Sequence, residues 1–186
     1  MRFIYWVLVA TVLFGIGLAA GTAIGDTALA DFIEKLLEQF PTIEDTGVVL
    51  GVSTAGLLIF LLVKNILAVA VSVIFAPFFG IFPALSLVMN GMLISYVVSR
   101  AIEQESLGYV ISLLAPHGVI EIPAFLVAQA AALSFGAAAI YALITRDRDG
   151  KLIINFKKNL KILLIAMACL VPAAIIEAFV TPLFIN

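Results

Sequence analysis

The chain has 186 residues, of which 64% are apolar and only 12% are charged. A soluble domain carries about a quarter charged residues, so this chain has too few polar side chains to cover its surface in water. The net charge of −2, without any basic stretch interleaved with aromatic residues, argues against nucleic acid as a partner. The sequence therefore predicts one integral membrane domain over residues 1–186, with the lipid bilayer as its solvent.

Five apolar stretches are long enough to cross a bilayer, whose hydrocarbon core needs about 20 apolar residues in a helix. The first follows a single basic residue, Arg2, its apolar run is long, and no good small-x-small cleavage site comes after it. We therefore expect this segment to be retained rather than removed as a signal peptide. The fold class is predicted to be all-α, a polytopic transmembrane helix bundle with about five spans, at 3–25, 48–76, 83–99, 123–143 and 162–184.

Two further elements are predicted between the spans. Apolar residues recur every three to four positions in 27–40, which predicts an external amphipathic helix with an acidic polar face. This helix would pack across the outer ends of the bundle or offer a docking surface to an external partner. The apolar segment Leu107–Ala115 is too short to cross the membrane. It is predicted to be a short re-entrant or interfacial piece that ends at Pro116.

The distribution of lysine and arginine predicts the orientation. Residues 146–161 contain six basic and two acidic residues, whereas residues 26–47 contain one basic and six acidic residues. Short loops rich in lysine and arginine stay in the cytoplasm. Five spans therefore place the chain in the cell membrane with its N-terminus cytoplasmic and its C-terminus external. Arg100 falls on the external side and does not fit this pattern.

Two stripes of small residues recur at four-residue spacing in the first and fourth spans. Helices in lipid associate mainly through close packing and interhelical hydrogen bonds, so small residues mark contact faces. Packing within the chain is the default interpretation, and pairing with a second copy to form a homo-oligomer, such as a dimer, is the alternative. The helix-packing residues are Gly17, Gly21 and Gly25 in the first stripe and Ala124, Ala128, Ala132 and Gly136 in the second.

Polar residues at membrane depth need an explanation, because insertion of an ionisable group costs about 2.5–3.5 kcal/mol. Asn65 and Asn90 lie in the second and third spans, which form a hairpin. We expect these amides to clamp the hairpin by a hydrogen bond of about 1 kcal/mol. Lys64 would extend to the nearer interface or neutralise a buried carboxylate.

A second set of polar residues lies near the outer side. His117 and Glu121 precede the fourth span, and Glu177 lies in the fifth. Pro123 suits the first turn of a helix, which would place Glu121 at the positive end of the helix dipole. If the chain is already helical at His117, His117 and Glu121 share one face. These three residues form the predicted outer polar cluster.

The chemistry of this cluster is open. Zinc takes three or four protein ligands, so a divalent metal held by His117 and Glu121, with Glu177 or a second subunit, is one interpretation. A catalytic pair with Glu121 as general base is another, but no serine or threonine stands out as a nucleophile. The preferred interpretation is a fixed histidine–carboxylate network, with no catalytic residue and no cofactor expected.

The segment Pro116-His117-Gly118-Val119-Ile120-Glu121 resembles the stage II sporulation protein M family, an integral membrane family with a His-Gly-x-x-Glu signature. The Asn90-Gly91 pair and the Lys64-Asn65 position also match that family, and the resemblance covers residues 50 to 185. It implies a membrane scaffold, because the namesake localises peptidoglycan-degrading partners during engulfment in spore-forming bacteria. Relatives occur in organisms that form no spores, so the resemblance does not imply sporulation. The family-signature positions are Asn65, Asn90, Gly91, His117, Gly118 and Glu121.

The sequence is compatible with three functions. The leading one is a non-enzymatic membrane scaffold or anchoring protein that organises external or membrane protein partners. An oligomeric transporter or channel subunit is the alternative, because intramembrane polar groups and a re-entrant segment can line a permeation path. The third is a metal-dependent membrane enzyme that uses His117 and Glu121.

Overall fold

The computed structural model describes residues 2–24, 54–78, 80–104, 106–145 and 151–179, with Thr27 and Lys35 as single residues. The predicted amphipathic helix over residues 27–40 lies outside these ranges apart from those two residues. Some side chains inside the helices are also outside the description: residues 54–61, 64, 65, 104, 109, 112–117, 151 and 177.

The described chain is almost entirely α-helical, which confirms the predicted class of a polytopic transmembrane helix bundle. It contains five helices, and no strand occurs in the ranges given above. In chain order they are α1 (Phe3–Thr22), α2 (Thr54–Phe75), α3 (Ile81–Gln104), α4 (Leu107–Thr145) and α5 (Lys151–Phe179).

The described helices can be compared with the lengths that a membrane span needs. A helix satisfies its backbone hydrogen bonds internally, which lipid requires. Four apolar helical segments in the described residues are long enough to cross: Phe3–Thr22, Ile81–Glu103, Gly118–Thr145 and Leu152–Ile176. The second predicted span is α2, a helix of 22 residues and hence about 33 Å.

The predicted re-entrant piece ending at Pro116 is wrong. Leu107–Ala115 forms the first part of α4, a continuous helix of 39 residues. The helix passes through Pro116 and Pro123 because each proline removes only one backbone hydrogen bond, a loss that membrane helices tolerate. Pro123 therefore lies well inside α4 rather than in its first turn, and Glu121 is not at the positive end of a helix dipole.

Helices α1 and α3 pack backbone to backbone. A methyl group added at Gly17 would meet the backbone of Val88 and Met92, and one at Gly21 would meet Met92 and Ser95. Residue numbers rise together along both helices, so α1 and α3 run in the same direction. From the other side, a methyl group at Gly91 would meet the backbone of α1 at Phe14, Gly17 and Leu18.

Helix α4 lies at the centre of the bundle. One buried cluster joins Ala124 and Ala128 of α4 to Val69 of α2 and to Leu163 and Leu170 of α5. A second cluster joins α4 to α1 and α3 through Ala10, Phe14, Leu87, Ala130 and Leu133. The small-residue stripe of α4 therefore faces α2 and α5, while Gly17 and Gly21 of α1 face α3. Gly25, the third glycine of the predicted stripe, lies outside the described residues.

The turn between α2 and α3 packs against α4 partway along that helix. Gly80 has a φ of 67°, a left-handed conformation that glycine adopts without strain. A methyl group added at Gly136 of α4 would lie 3.0 Å from the Gly80 Cα atom. Since α4 ends at Thr145, its last nine residues extend about 14 Å past the level of this turn.

Candidate functional site

The most buried polar side chain in the described residues is Gln129 of α4, which is completely inaccessible to solvent. Its Nε2 donates to Ser72 Oγ of α2 at 3.1 Å and to Ser86 Oγ of α3 at 3.2 Å. Its Oε1 has no hydrogen-bond partner in the described structure. Gln129 thus links three helices, and its acceptor oxygen remains unsatisfied in a low-dielectric interior.

Asn90 extends this network along α3. Its Nδ2 donates to the Ser86 carbonyl oxygen at 2.8 Å and lies 3.5 Å from Ser86 Oγ. The described hydrogen bonds of Asn90 are therefore made within its own helix. Asn65 lies ten residues before the end of α2 and Asn90 nine residues after the start of α3, so their backbones have similar depth. The side chains of Asn65 and Lys64 lie outside the described set, and the predicted clamp stays a prediction.

A separate amide cluster joins α4 and α5. Asn159 of α5 is buried, and its Nδ2 donates to Asn155 Oδ1 at 2.6 Å and lies 3.3 Å from Ser134 Oγ of α4. The rings of Phe135 and Phe156 lie 5.1 Å apart next to it. This cluster joins α4 to α5 near Gly136, at the level of the α2–α3 turn.

A groove opens between α2 and α3 in front of the Gln129 network. Its volume is about 480 Å³, within the range of roughly 300–1,000 Å³ that is usual for small-molecule sites. Ser72 and Ser86, the two hydroxyls bonded to Gln129, are its polar lining residues. The rest of the lining is apolar: Leu67, Ala68 and Val71 from α2, and Phe82, Leu85 and Met89 from α3.

The predicted outer polar cluster is only partly described. Residues 117 and 121 are one turn apart on α4, so the condition that the chain is helical at His117 is met. Glu121 is half-buried, and Gly118 beside it has a single neighbour, Ile122 Cδ1, at 3.9 Å from where a Cβ would lie. Glu177 lies two residues before the end of α5. The side chains of His117 and Glu177 are outside the described set.

The metal interpretation keeps the status of a prediction. Among the side chains that the structure describes, no three histidine, cysteine, aspartate or glutamate residues come together. His117 and Glu177 were not among those side chains.

Comparisons with known proteins agree with the family resemblance. The family model described as stage II sporulation protein M matches residues 8–182, further toward the N-terminus than the resemblance at residues 50 to 185. The uncharacterised protein MJ0793 of Methanocaldococcus jannaschii is 23% identical over 184 residues, covering 95% of this chain and 93% of that protein. No solved structure matches the chain. This integral membrane protein belongs to the stage II sporulation protein M family.

Proposed function

We propose that this protein is a non-enzymatic membrane scaffold that holds partner proteins on the projecting end of its α4–α5 hairpin. The observation that carries the proposal is that α4 and α5 extend beyond the level of the α2–α3 turn. Past the level of Gly136, both helices continue and carry exposed apolar side chains. Large apolar side chains there are 59–77% exposed: Tyr141, Leu143 and Ile144 on α4, and Ile153 and Ile154 on α5.

The chemistry of the interior supports a scaffold over an enzyme. The buried polar side chains in the described residues are Ser72, Ser95, Gln129 and Asn159, all uncharged. Amides and hydroxyls of this kind join membrane helices, whereas general acid–base catalysis needs a group that titrates near the operating pH. A closely packed bundle with neutral internal hydrogen bonds suits a rigid platform.

The small-residue stripes are not free to bind a partner, because other helices of the same chain cover them. Gly17 and Gly21 are covered by α3, and the stripe of α4 is covered by α2, α5 and the α2–α3 turn. A homodimer, as well as a complex with another protein, would therefore use other surfaces. The projecting hairpin is the surface that we propose for this role.

We also propose that the cytoplasmic side of the membrane is the side at which α4 ends and α5 begins, as the positive charges of residues 146–161 indicate. The test is cysteine labelling in a Cys169→Ser background. A membrane-impermeant maleimide should label Lys35→Cys in intact cells and Lys158→Cys only after permeabilisation, since both lysines are exposed. The reverse labelling pattern would invert the proposed orientation.

Photocrosslinking tests the scaffold itself. A benzophenone amino acid at Ile144 or Ile154 should form adducts of defined mass with partner proteins in native membranes. The same residue at Val12, which is 61% exposed on α1, is the control for a lipid-facing site and should give no such adduct.

Two results would contradict the scaffold. The first is an identical adduct pattern at Ile144 and Val12, which would indicate nonspecific collision. The second is selective solute or ion flux through the purified protein in liposomes that is lost when the Ser72–Gln129–Ser86 contacts are removed. That result would favour the transporter or channel alternative.

A further inference from the structure

Three lysines form an exposed basic patch on α5. Lys157, Lys158 and Lys161 are all exposed, and at 100° per residue they lie within about a third of the helix circumference. The opposite side of α5 packs into the bundle through Asn159 and Leu163, which are both buried. The basic patch, Lys157, Lys158 and Lys161, therefore faces away from the other described helices.

The basic patch lies at the depth of the α2–α3 turn. Asn159 lies between these lysines in the sequence, and its Nδ2 is 3.3 Å from Ser134 Oγ of α4. Two residues further along α4, a methyl group added at Gly136 would lie 3.0 Å from the Gly80 Cα atom of the turn. The lysines therefore surround the level at which α2 and α3 meet.

Tyr5 of α1 lies at the same depth. Gly17 of α1 packs against the backbone of Val88 and Met92 in α3, which runs in the same direction. Twelve residues before Gly17 is Tyr5, and twelve residues before Val88 and Met92 are residues 76–80, at the α2–α3 turn. Tyr5 is 48% exposed, and tyrosine is enriched where a membrane meets water. The basic patch is thus at the level of the lipid headgroups.

The helices supply no acidic residue at this depth. Helices α1 and α2 contain none, and the acidic residues within α3, α4 and α5 are Glu103, Glu121 and Glu177. Each lies 15 or more residues along its helix from this level, a distance of at least about 22 Å. The connecting residues 146–150 contain two acidic and two basic residues and add no net charge. The positive charge of the basic patch is therefore not balanced by the helices or by the net charge of this connection.

The exposed side of α5 becomes apolar immediately beyond the lysines. Leu164 and Ile165 follow Lys161 by about one turn on the same side of the helix, and they are 57% and 56% exposed. Because α5 crosses the membrane in this direction, these side chains face the hydrocarbon region. A ligand that contacts the whole surface needs an anionic group next to the lysines and an apolar chain next to Leu164 and Ile165.

We propose that the basic patch binds the headgroup of an anionic phospholipid, whose acyl chains lie along Leu164 and Ile165. The lysine ammonium groups donate to the phosphate oxygens. A zwitterionic headgroup brings a positive charge of its own and is less favoured. An acidic segment of a soluble protein would meet the lysines but not the apolar side chains in the hydrocarbon. The site shares no residue with the proposed scaffold surface, so either proposal can fail without the other.

Competition between two lipids, measured by native mass spectrometry, tests the proposal. The full-length protein in a neutral detergent receives equal amounts of phosphatidylglycerol and phosphatidylcholine with the same acyl chains. A lysine near an anionic surface favours binding by about fivefold, so three lysines should favour retention of phosphatidylglycerol by at least about tenfold. Combined Lys157→Gln, Lys158→Gln and Lys161→Gln should leave both lipids almost equally retained. Arginine at the same three positions should keep the preference.

Arg2→Gln is the matched control, because it removes an exposed positive charge from α1 at the same end of the bundle. It should leave the preference unchanged. If the triple glutamine variant fails to fold, Lys161→Gln alone should reduce the preference by about fivefold. Inorganic phosphate at matched ionic strength should not displace the lipid, since it makes no contact with Leu164 or Ile165.

Four results would overturn the lipid site. The wild-type protein retains both lipids equally, or the glutamine variant keeps the preference for phosphatidylglycerol. Arg2→Gln loses the preference to the same extent as the glutamine variant, which would indicate an effect of net charge alone. Inorganic phosphate displaces the lipid, which would indicate a site for a free anion.

Discussion

Replacing Gly17 with alanine is expected to destabilise the protein by about 1–3 kcal/mol, the usual cost of inserting a methyl group into a closely packed contact. The new Cβ would lie against the backbone of Val88 and Met92. Backbone atoms cannot rotate away as a flexible side chain can, so α1 must move away from α3. That movement would also weaken the neighbouring contacts at Gly21 and Gly91.

Gly15 provides a matched control two residues away on the same helix. A methyl group there would have no neighbour within 4 Å, and alanine favours a helix over glycine by up to about 1 kcal/mol. Gly15→Ala should therefore leave stability unchanged or slightly higher. Reversible unfolding in mixed micelles measures both variants, and equal stability of Gly15→Ala and Gly17→Ala would refute the packing of α1 against α3.

Sequence spacing identified the glycines but not their partner. The four-residue repeat of Gly17 and Gly21 marks one face of a helix, and any helix that approaches closely can occupy it. The partner is α3 because Gly91 offers a second backbone surface without a side chain at the same level. That match depends on the relative depth of two helices that are far apart in the sequence, which local spacing does not encode.

The predicted end of a helical segment at Pro116 is wrong because proline behaves differently in lipid and in water. Proline is a strong helix breaker in water because its missing N–H and its ring disrupt one turn. In a long apolar helix the flanking turns have no better alternative, since unpaired backbone groups are costly in lipid. The helix α4 therefore continues through both Pro116 and Pro123.

The polar centre of the bundle was only partly predictable. Asparagines at membrane depth in α2 and α3 indicated a hydrogen-bonded hairpin, and Asn90 does belong to the network around Ser86. The central residue, Gln129, was missed although it is a lone amide within the alanine-rich stretch of α4. A single carboxamide in an apolar span is itself a signal for an interhelical contact. Its serine partners on two other helices follow only from the three-dimensional packing.

Gln129→Ala is expected to cost about 2–4 kcal/mol in the free energy of unfolding. The residue is completely buried, and truncation of a buried side chain of similar size to leucine or methionine leaves a cavity with a cost in the range of 2–5 kcal/mol. The two hydrogen bonds to Ser72 and Ser86 are lost as well, at about 0.6 kcal/mol each in membrane proteins. Relief of the unpaired Oε1 atom offsets part of this loss.

Gln129→Leu separates volume from hydrogen bonding. Leucine fills most of the space, loses both hydrogen bonds and removes the unsatisfied acceptor, so its stability in pure detergent should stay within about 1 kcal/mol of the wild type. Unfolding measurements on both variants test this difference. If leucine is as damaging as alanine, the hydrogen bonds to Ser72 and Ser86 rather than the packed volume hold α2, α3 and α4 together.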